Sequence, residues 1–535
     1  MHEQKIYFQI CPSIGDKIPK HKDINNLSHS CCITLVVKTC FLGYARTIFE
    51  KKVLVKDLAI QVLIKRVEEL TIRFEISEKE NKILCHENAE LKSENAMFKA
   101  EIEELKARLA SNSHNSNKPP SSDGYKKETI KPAFPKSKGS KQGGQNGHKG
   151  HTLKQVETPD KVVICTPDAC TCGHKFEKGQ LMLAEKRQVF DLPQPTLEIT
   201  EYQIFKASCP ACGQEQKGVA PEGVNAPVQY GNKVKAFVVL LNVHYKIPYK
   251  KIQLLFSDLF GYPINESTIS SAGEKCYEKL EDSENIIKSK IICNNVVHAD
   301  ETGLRAAGKL HWLHTATTHL YTYLFVHEKR GAGAIQSNKS ILTDYIGWLV
   351  HDCWSSYFNL KNLKHAICGA HILRELQGLM DGGETRWAKV FKSFLLSIYM
   401  MPFDERVMRR NHIESRYDRI CGFGEKEEPP PVKTAGRKGR CKRTQGRNLV
   451  ERLIREKDAI LAFAFNKEVP FTNNLAERDI RPAKVKQKIS NCFRTFKGAE
   501  IYARIEGFIS TARKNQRCIF KELCTTFEGQ NFITE

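Results

Sequence analysis

The stretch "VVHADETGLR", residues 296–305, decides the fold because it joins a β-branched run to two adjacent carboxylates. β-Branched residues favour a strand that enters a core. Successive side chains of a strand point to opposite faces, so Asp300 and Glu301 meet different surroundings. We predict that Asp300 is the functional carboxylate and that Glu301 pairs with a nearby arginine or backbone amide.

The residues that follow predict a meander of strands. "GKLHWLHTATT" alternates, "LYTYLFVHEK" is aromatic and β-branched, "RGAGAIQS" breaks the chain before a short helix, and "IGWLVHDCWSSYF" (346–358) is a fourth strand. This order is how a ribonuclease-H-like domain begins, with its first and fourth strands side by side. Asp300 and Asp352 would then face each other and repel unless cations bind between them. Carboxylate oxygens suit Mg²⁺ or Mn²⁺, and two such ions can carry phosphoryl transfer.

A third carboxylate is predicted in "FTNNLAERDIRPAKVKQKISNCFRTFKGAE", residues 471–500. Glu477 lies in a helix that one of residues 472–474 (Thr-Asn-Asn) is expected to cap. The alternative for Glu477 is a surface ion pair with Arg481, four residues on. A carboxylate inside a cationic segment suits a metal site that also holds a DNA backbone. The basic residues predicted to contact DNA are Arg478, Arg481, Lys484, Lys488 and Arg494.

The overall charge also favours nucleic acid as the partner. The 535 residues include 83 Lys and Arg against 61 Asp and Glu, a net charge of +22, which attracts polyanions. No apolar run reaches the length of a membrane span, so no membrane partner is expected. The 19 cysteines are odd in number and scattered, which fits reduced thiols plus a metal site. We therefore expect a cytoplasmic, nucleoid-associated protein.

Residues 51–110 are predicted to form a coiled coil of the leucine-zipper type, after an unassigned segment at 1–50. Apolar residues recur every seven positions in two seams, and three asparagines in one seam fit a register-fixing role in a dimer. The alternative is a long amphipathic helix packed on its own domain. The two seams are Leu63, Leu70, Ser77, Leu84, Leu91, Phe98 and Leu105, and Val67, Phe74, Asn81, Asn88, Asn95, Ile102 and Leu109.

A flexible basic linker is predicted over 111–158, because the segment is rich in Ser, Asn, Pro, Gly and Lys. A small zinc-ribbon-like module follows at 159–220, with strands in "EKRQVFDLP" and "LEITEYQIFKASC". Zinc accepts four thiolates, although four reduced thiols without metal are the alternative. The predicted Zn²⁺ ligands, in two turns that each continue into glycine, are Cys170, Cys172, Cys209 and Cys212.

Residues 221–290 are predicted to be helical, with a break at "FGYPINEST". Gly261 and Pro263 end one helix, and Asn265 or Ser267 caps the next. In a basic protein this could be a DNA-binding helix-turn-helix, although ordinary helical hairpins are commoner.

The catalytic domain is expected over 291–510, with a helical insertion at about 360–470 and a C-terminal tail at 511–535. Within the insertion, "HAICGAHILREL" puts His365, Cys368 and His371 at helical spacing. This spacing fits two alternatives. One is a second metal site, and the other is a packed helix whose side chains orient carboxylates or phosphates. The basic loop at 425–448 is expected to be disordered and to contact DNA.

Four motifs in this order carry a resemblance to a known family. "HADETGLR", "HDCWSSY", "HAICGAHILREL" and "TNNLAERDIRPAKVKQKISNCFRT" resemble the DDE transposases of the insertion-sequence 66 family, and the resemblance covers about residues 60–515. It implies a ribonuclease-H-like core with Asp300, Asp352 and Glu477 as its metal-binding triad. It also implies cleavage at insertion-sequence ends and strand transfer into target DNA.

The predicted fold is thus an α/β ribonuclease-H-like catalytic core with a helical insertion. A coiled coil, a zinc module and a helical DNA-binding region precede it. The predicted function is transposition, in which water frees a 3′-hydroxyl that then attacks target phosphate. A non-catalytic DNA-binding regulator and a two-metal nuclease without strand transfer are the alternatives. The acid triad argues against the first, and only joining of element ends to target DNA would exclude the second.

Overall fold

The structure is a computed structural model that describes residues 57–110, 153–383, 385–431 and 443–533. The unassigned segment 1–50, nearly all of the predicted linker and the centre of the predicted basic loop lie outside these residues. The chain divides into two units, residues 1–105 and 106–535. No helix in the described ranges is both long and apolar enough to cross a membrane.

Helix α1, Asp57–Ala110, is one continuous helix of 54 residues, as the heptad pattern predicts. Its leucines remain largely exposed, for example Leu84 at 53% and Leu91 at 55%. A single helix cannot bury an apolar seam of this kind by itself.

The cysteine-bearing segment contains one small hairpin, in which β1 (Lys206–Ser208) pairs antiparallel with β2 (Glu215–Lys217). The strand predicted over 185–193 has no regular structure, and the one predicted over 197–209 is limited to its last residues. The side chains of these segments are mostly exposed, so their β-branched residues have no sheet to join.

Four helices form the region predicted to be helical. They are α2 (Asn232–Val239, continued by a π-helical turn Leu240–His244), α3 (Tyr249–Phe260), α4 (Glu266–Lys279) and α5 (Glu281–Ile292). The break is as predicted: Gly261 ends α3 with φ 74°, a conformation that favours glycine. Asn265 caps α4 by accepting a hydrogen bond from the Ser267 amide.

A mixed five-stranded sheet follows, in the order β5-β4-β3-β6-β7. Its strands are β3 (Val296–Ala306), β4 (Lys309–Thr317), β5 (Thr322–His327), β6 (Trp348–His351) and β7 (Lys364–Ile367), with a short helix α6 (Ala332–Ile335) after β5. The first three are antiparallel neighbours, and β6 pairs in parallel with both β3 and β7. The predicted first and fourth strands are therefore adjacent.

The helical insertion begins after β7, later than predicted, because residues 364–367 form an edge strand of the sheet. His365 accordingly lies on a strand, Cys368 immediately precedes the next helix, and of the three only His371 lies on that helix. The insertion consists of α7 (Gly369–Gly382), α8 (Arg386–Met400), α9 (Phe403–Met408), α10 (Arg410–Glu427), α11 (Gln445–Arg455) and α12 (Lys457–Phe465). These helices build their own core around Trp387 and Phe391 and pack it against β6 and β7.

The C-terminal helices complete the other core. They are α13 (Asn474–Ser490), α14 (Phe496–Lys514) and α15 (Ile519–Phe527). Residues 511–535 were predicted to be a tail, but α15 buries Leu523 and Phe527 in the core that also contains the sheet and α2–α5. The amphipathic pattern of "IFKELCTTF" explains why this segment packs.

Candidate active site

The three predicted acids come from three different elements. Asp300 lies in the middle of β3, Asp352 directly follows β6, and Glu477 lies in the first turn of α13. Burial raises the pKa of Asp300 well above its usual range, and the negative charges of Glu301, Asp352 and Glu477 raise it further. The structure thus brings all three acids into electrostatic range, although their oxygens do not all lie within 4.8 Å of one another.

Asn473 fixes the start of α13 against β3. Its side-chain amide donates to the Ala299 carbonyl at 2.8 Å, and its Oδ1 lies 2.9 Å from Nδ1 of His298. Since Oδ1 can only accept, His298 must carry its proton on Nδ1. Burial lowers the pKa of His298 to about 4, so the ring is neutral at physiological pH. Asn473 was expected only to cap the helix, but its fully buried side chain clamps α13 beside Asp300.

Glu477 faces α7 and not its own helix. Its Oε1 lies 3.7 Å from Nη2 of Arg374 and 3.9 Å from Nδ1 of His371. In the described part of the chain no ion pair joins Glu477 to Arg481, so the alternative of a local surface pair is wrong. Glu477 Oε1 is buried without a hydrogen-bond partner there. The motif "HAICGAHILREL" therefore supplies the helix that faces the Glu477 carboxylate.

Glu301 pairs with an arginine, as predicted, and also accepts a hydrogen bond from a tyrosine. Both Nε and Nη2 of Arg330 donate to its Oε1, at 2.9 and 2.8 Å, and the Tyr357 hydroxyl donates to its Oε2 at 2.5 Å. The Arg330 guanidinium lies between the rings of Trp312 and Trp354, 4.9 and 4.4 Å from their centroids.

Arg330 and Trp354 also contribute to the surroundings of Asp352. The Trp354 amide donates to Asp352 Oδ1 at 3.0 Å, and Trp354 is the ring closest to Arg330. Burial raises the pKa of Asp352, whereas this amide and the positive charge of Arg330 oppose the rise. Glu301 is nearly fully buried, and burial followed by the charge of Asp352 raises its pKa too.

Asp479 is a functional candidate that sequence reasoning missed. It accepts hydrogen bonds from Ser510, Thr317 and Thr322 and forms a 2.6 Å ion pair with Lys514. Both members of the pair are nearly buried. The only local signal was its place two residues after Glu477, because its partners come from β4, β5 and α14. Asp479 fixes the rotation of α13 about its axis.

The predicted DNA-binding residues line one stretch of α13 and the loop after it. Arg478, Arg481 and Lys488 are exposed, and Arg494 is 89% exposed at 4.0 Å from Glu266. Lys484 donates to the Gly303 carbonyl at 2.8 Å, so it is partly engaged within the protein. The first of these exposed basic side chains, Arg478, directly follows Glu477 in the sequence.

The four predicted zinc ligands form two turns. The Gly173 amide bonds to the carbonyl of Cys170, and the Gly213 amide to that of Cys209. Hydrogen bonds with Cys172 lower the pKa of Cys170, and hydrogen bonds with Ala211 and Cys212 lower that of Cys209. The structure does not gather the four sulfurs. Within the described ranges, three residues do form a group of potential metal ligands. They are Cys368, His371 and Glu477, and one ligand atom of each lies within 4.8 Å of the other two.

The acid triad fits a hard divalent cation. Its donors are carboxylate oxygens, the preferred ligands of Mg²⁺ and Mn²⁺. The like charges that raise the pKa of Asp300, together with the unpartnered oxygen of Glu477, would be offset by a cation held by these acids.

Comparison with known families identifies the chain. A family model described as "Transposase IS66 family" matches residues 227–501, slightly more than half of the sequence. The chain belongs to the IS66 transposase family. The matched region contains all three acids and the whole helical insertion. Membership supports a transposase-type, DNA-processing function, with DNA as partner and a general dependence on divalent metal ions.

A second family model covers the N-terminal part of this IS66-family chain. It is described as a family of unknown function (DUF6444) and matches residues 46–154, which include α1. No curated protein matches the chain.

Proposed function

We propose that this IS66-family protein is a DDE transposase that cleaves insertion-sequence ends and joins them to target DNA. The observation that carries the proposal is the electrostatic convergence of Asp300, Asp352 and Glu477 from β3, β6 and α13. The strand order β5-β4-β3-β6-β7 supports a ribonuclease-H-like core, in which acids at these positions face one another.

Each acid has a role that its surroundings support. Asp300, Asp352 and Glu477 would hold the metal ions, with phosphate oxygens of the DNA as further ligands. Bound Mg²⁺ would help to activate the attacking oxygen and stabilise the leaving one. Arg374 holds Glu477 by its charge, and Asn473 holds the start of α13. Water attacks a phosphodiester to free a 3′-hydroxyl, and that hydroxyl then attacks a target phosphate while a 3′-oxygen leaves.

The remaining predicted parts would grip DNA and pair subunits. Arg478, Arg481 and Lys488 would contact backbone phosphates next to Glu477, because they are exposed on its own helix. Helix α1 would pair with the same helix of a second copy, since its leucines are exposed in the single chain. The turns around Cys170 and Cys209 would hold Zn²⁺ once the module closes, and α3–α4 is a candidate helix-turn-helix.

The test is an end-cleavage and joining assay. Labelled DNA carrying the sequences that flank the reading frame is incubated with the full chain, Mg²⁺ or Mn²⁺, and a supercoiled target. Asp300→Ala, Asp352→Ala and Glu477→Ala should each lose cleavage and joining by a factor of 10³ or more, on the order expected when a transition-state interaction is removed. Asp344→Asn, an exposed acid outside the site, is the matched control.

Two results would overturn the proposal in different ways. Full cleavage by any of the three alanine variants would show that the replaced acid is not catalytic and would refute the proposed triad. Cleavage by the unmodified chain without any joining to the supercoiled target would instead leave a two-metal nuclease.

A further inference from the structure

A cluster of a thiol, an imidazole and a carboxylate lies beside the proposed catalytic site. Cys368 precedes α7, His371 lies in its first turn, and Glu477 reaches them from α13. One ligand atom from each lies within 4.8 Å of the other two. Nδ1 of His371 and Oε1 of Glu477 are both buried without a hydrogen-bond partner, 3.9 Å apart.

The separation of His371 Nδ1 and Glu477 Oε1 is close to that between two ligands of a tetrahedral zinc ion. With zinc bonds of about 2.0–2.3 Å to nitrogen, oxygen and sulfur, two ligands of one ion lie about 3.3–3.7 Å apart. A spacing of 3.9 Å is too long for a hydrogen bond but needs only a small shift to fit. One sulfur, one nitrogen and one oxygen form a donor set that zinc accepts, and a fourth position stays open to water.

The surroundings of Cys368 suit a coordinated thiolate. The Asn473 amide donates to its sulfur at 3.1 Å, and the residue stands at the N-terminus of the 14-residue helix α7. Both features favour negative charge on sulfur, but burial outweighs them and raises the pKa of the free thiol to about 11, so a bound cation is needed to hold the thiolate. Arg374, 3.7 Å from Glu477 and one-quarter exposed, is the present counter-charge, and its flexible side chain can give way to an ion.

We propose that Cys368, His371 and Glu477 form a zinc site, separate from the cysteine module, whose occupancy withdraws Glu477 from the catalytic acids. Glu477 can then bind either the zinc ion, beside a thiolate and an imidazole, or the catalytic ions, beside carboxylates, but not both at once. Zinc would therefore inhibit the reaction, and this inhibitory part rests on the proposed function.

The binding part is tested with Co²⁺, whose thiolate charge-transfer band reports a sulfur ligand. The full chain carries Cys170→Ser, Cys172→Ser, Cys209→Ser and Cys212→Ser, so that the other predicted site is silent. We expect one added equivalent of Co²⁺ to produce the band. Cys368→Ser or His371→Ala should weaken binding at least tenfold. Cys421→Ser, which changes a buried thiol of the same insertion, should keep both band and affinity.

Unchanged Co²⁺ affinity in the Cys368→Ser or His371→Ala protein, or no band in the parent, would overturn the site. Should Cys368→Ser fail to fold, His371→Ala decides, because its Nδ1 makes no hydrogen bond whose loss would unfold the chain. This measurement needs no activity, so it stands even if the proposed function fails.

The inhibitory part is tested by titrating zinc into the cleavage assay at fixed Mg²⁺. Each protein is compared with its own rate without zinc. We expect His371→Ala to raise the inhibiting zinc concentration about tenfold, whereas His412→Ala, an exposed histidine of α10, should not change it. Equal inhibition of the parent and His371→Ala would overturn competition at Glu477.

Discussion

Replacing Arg330 by methionine should destabilise the core in a pH-dependent way. The change keeps an apolar chain between Trp312 and Trp354 but leaves Glu301, whose side chain is 1% exposed, without its guanidinium. Removing one partner of a fully buried pair costs about 3–5 kcal/mol. Because the Arg330 side chain is 40% exposed, we reduce this figure to about 2–4 kcal/mol.

The sign of the pH dependence follows from Glu301. Its pKa in the folded protein is already raised, chiefly by burial and then by Asp352, and Arg330 is one of the groups that hold it down. Without Arg330 the pKa rises further, so the folded state binds this proton over a wider range. Protonated Glu301 needs no counter-charge. The stability difference between the two proteins should therefore be small near pH 4 and grow as the pH rises towards 8.

Urea unfolding followed by tryptophan fluorescence measures this difference. All four tryptophans lie in the α/β core and its insertion, and two of them flank Arg330. Glu301→Gln added to Arg330→Met should recover at least half of the lost free energy, because it removes the buried unpaired charge. Arg416→Met, which removes an exposed guanidinium over the Phe394 ring, is the control and should cost less than about 1 kcal/mol.

Equal midpoints for Arg330→Met and Arg416→Met would refute this reasoning. So would a destabilisation that does not change between pH 5 and pH 8, or a double variant no more stable than Arg330→Met alone.

Three further perturbations test other parts of the molecule. Alanine at Arg481 and Lys488 should weaken DNA binding equally for all sequences and lower the slope of log affinity against log salt by about one per residue, as measured by fluorescence anisotropy. Leu84→Glu in α1 should abolish self-association in sedimentation experiments and leave the thermal unfolding of the core unchanged. Asp479→Asn should cost about 3 kcal/mol, because Lys514 is left nearly buried without its partner. Burial already lowers the pKa of Lys514, so in unfolding experiments this defect should shrink towards alkaline pH, where the amine is neutral.

The parts of the core that local patterns specify were predictable. The β-branched run before Asp300 predicts β3. The strand predicted over 346–358 is confirmed only for residues 348–351, because the chain leaves the sheet at Asp352 and forms a helical turn at Tyr357–Asn359. The alternation rule separated Asp300 from Glu301, and an arginine does pair with Glu301. These predictions needed only neighbours along the chain, where side-chain period and β propensity act.

The parts that depend on distant partners were not predictable. Strand β7 is four residues long and continues into a helical pattern, so only the neighbouring β6 makes it a strand. The segments 185–193 and 197–205 have strand composition but no partner. Asp479 resembles any helical acid until β4, β5 and α14 surround it. Glu477 was predicted as the third acid from the family resemblance, because spacing alone also fitted an ion pair with Arg481.

The two ends of the helical insertion meet. The Gly369 amide donates to the Phe471 carbonyl at 2.8 Å, and the Asn473 amide donates to the sulfur of Cys368. The insertion of about a hundred residues thus begins and ends at adjacent positions of the sheet domain. A change in the number of residues between Asp352 and Glu477 would therefore leave both residues in place. The insertion could thus be shortened or replaced by another helical unit without moving Asp352 or Glu477, provided that the apolar residues of β6 and β7 stay covered.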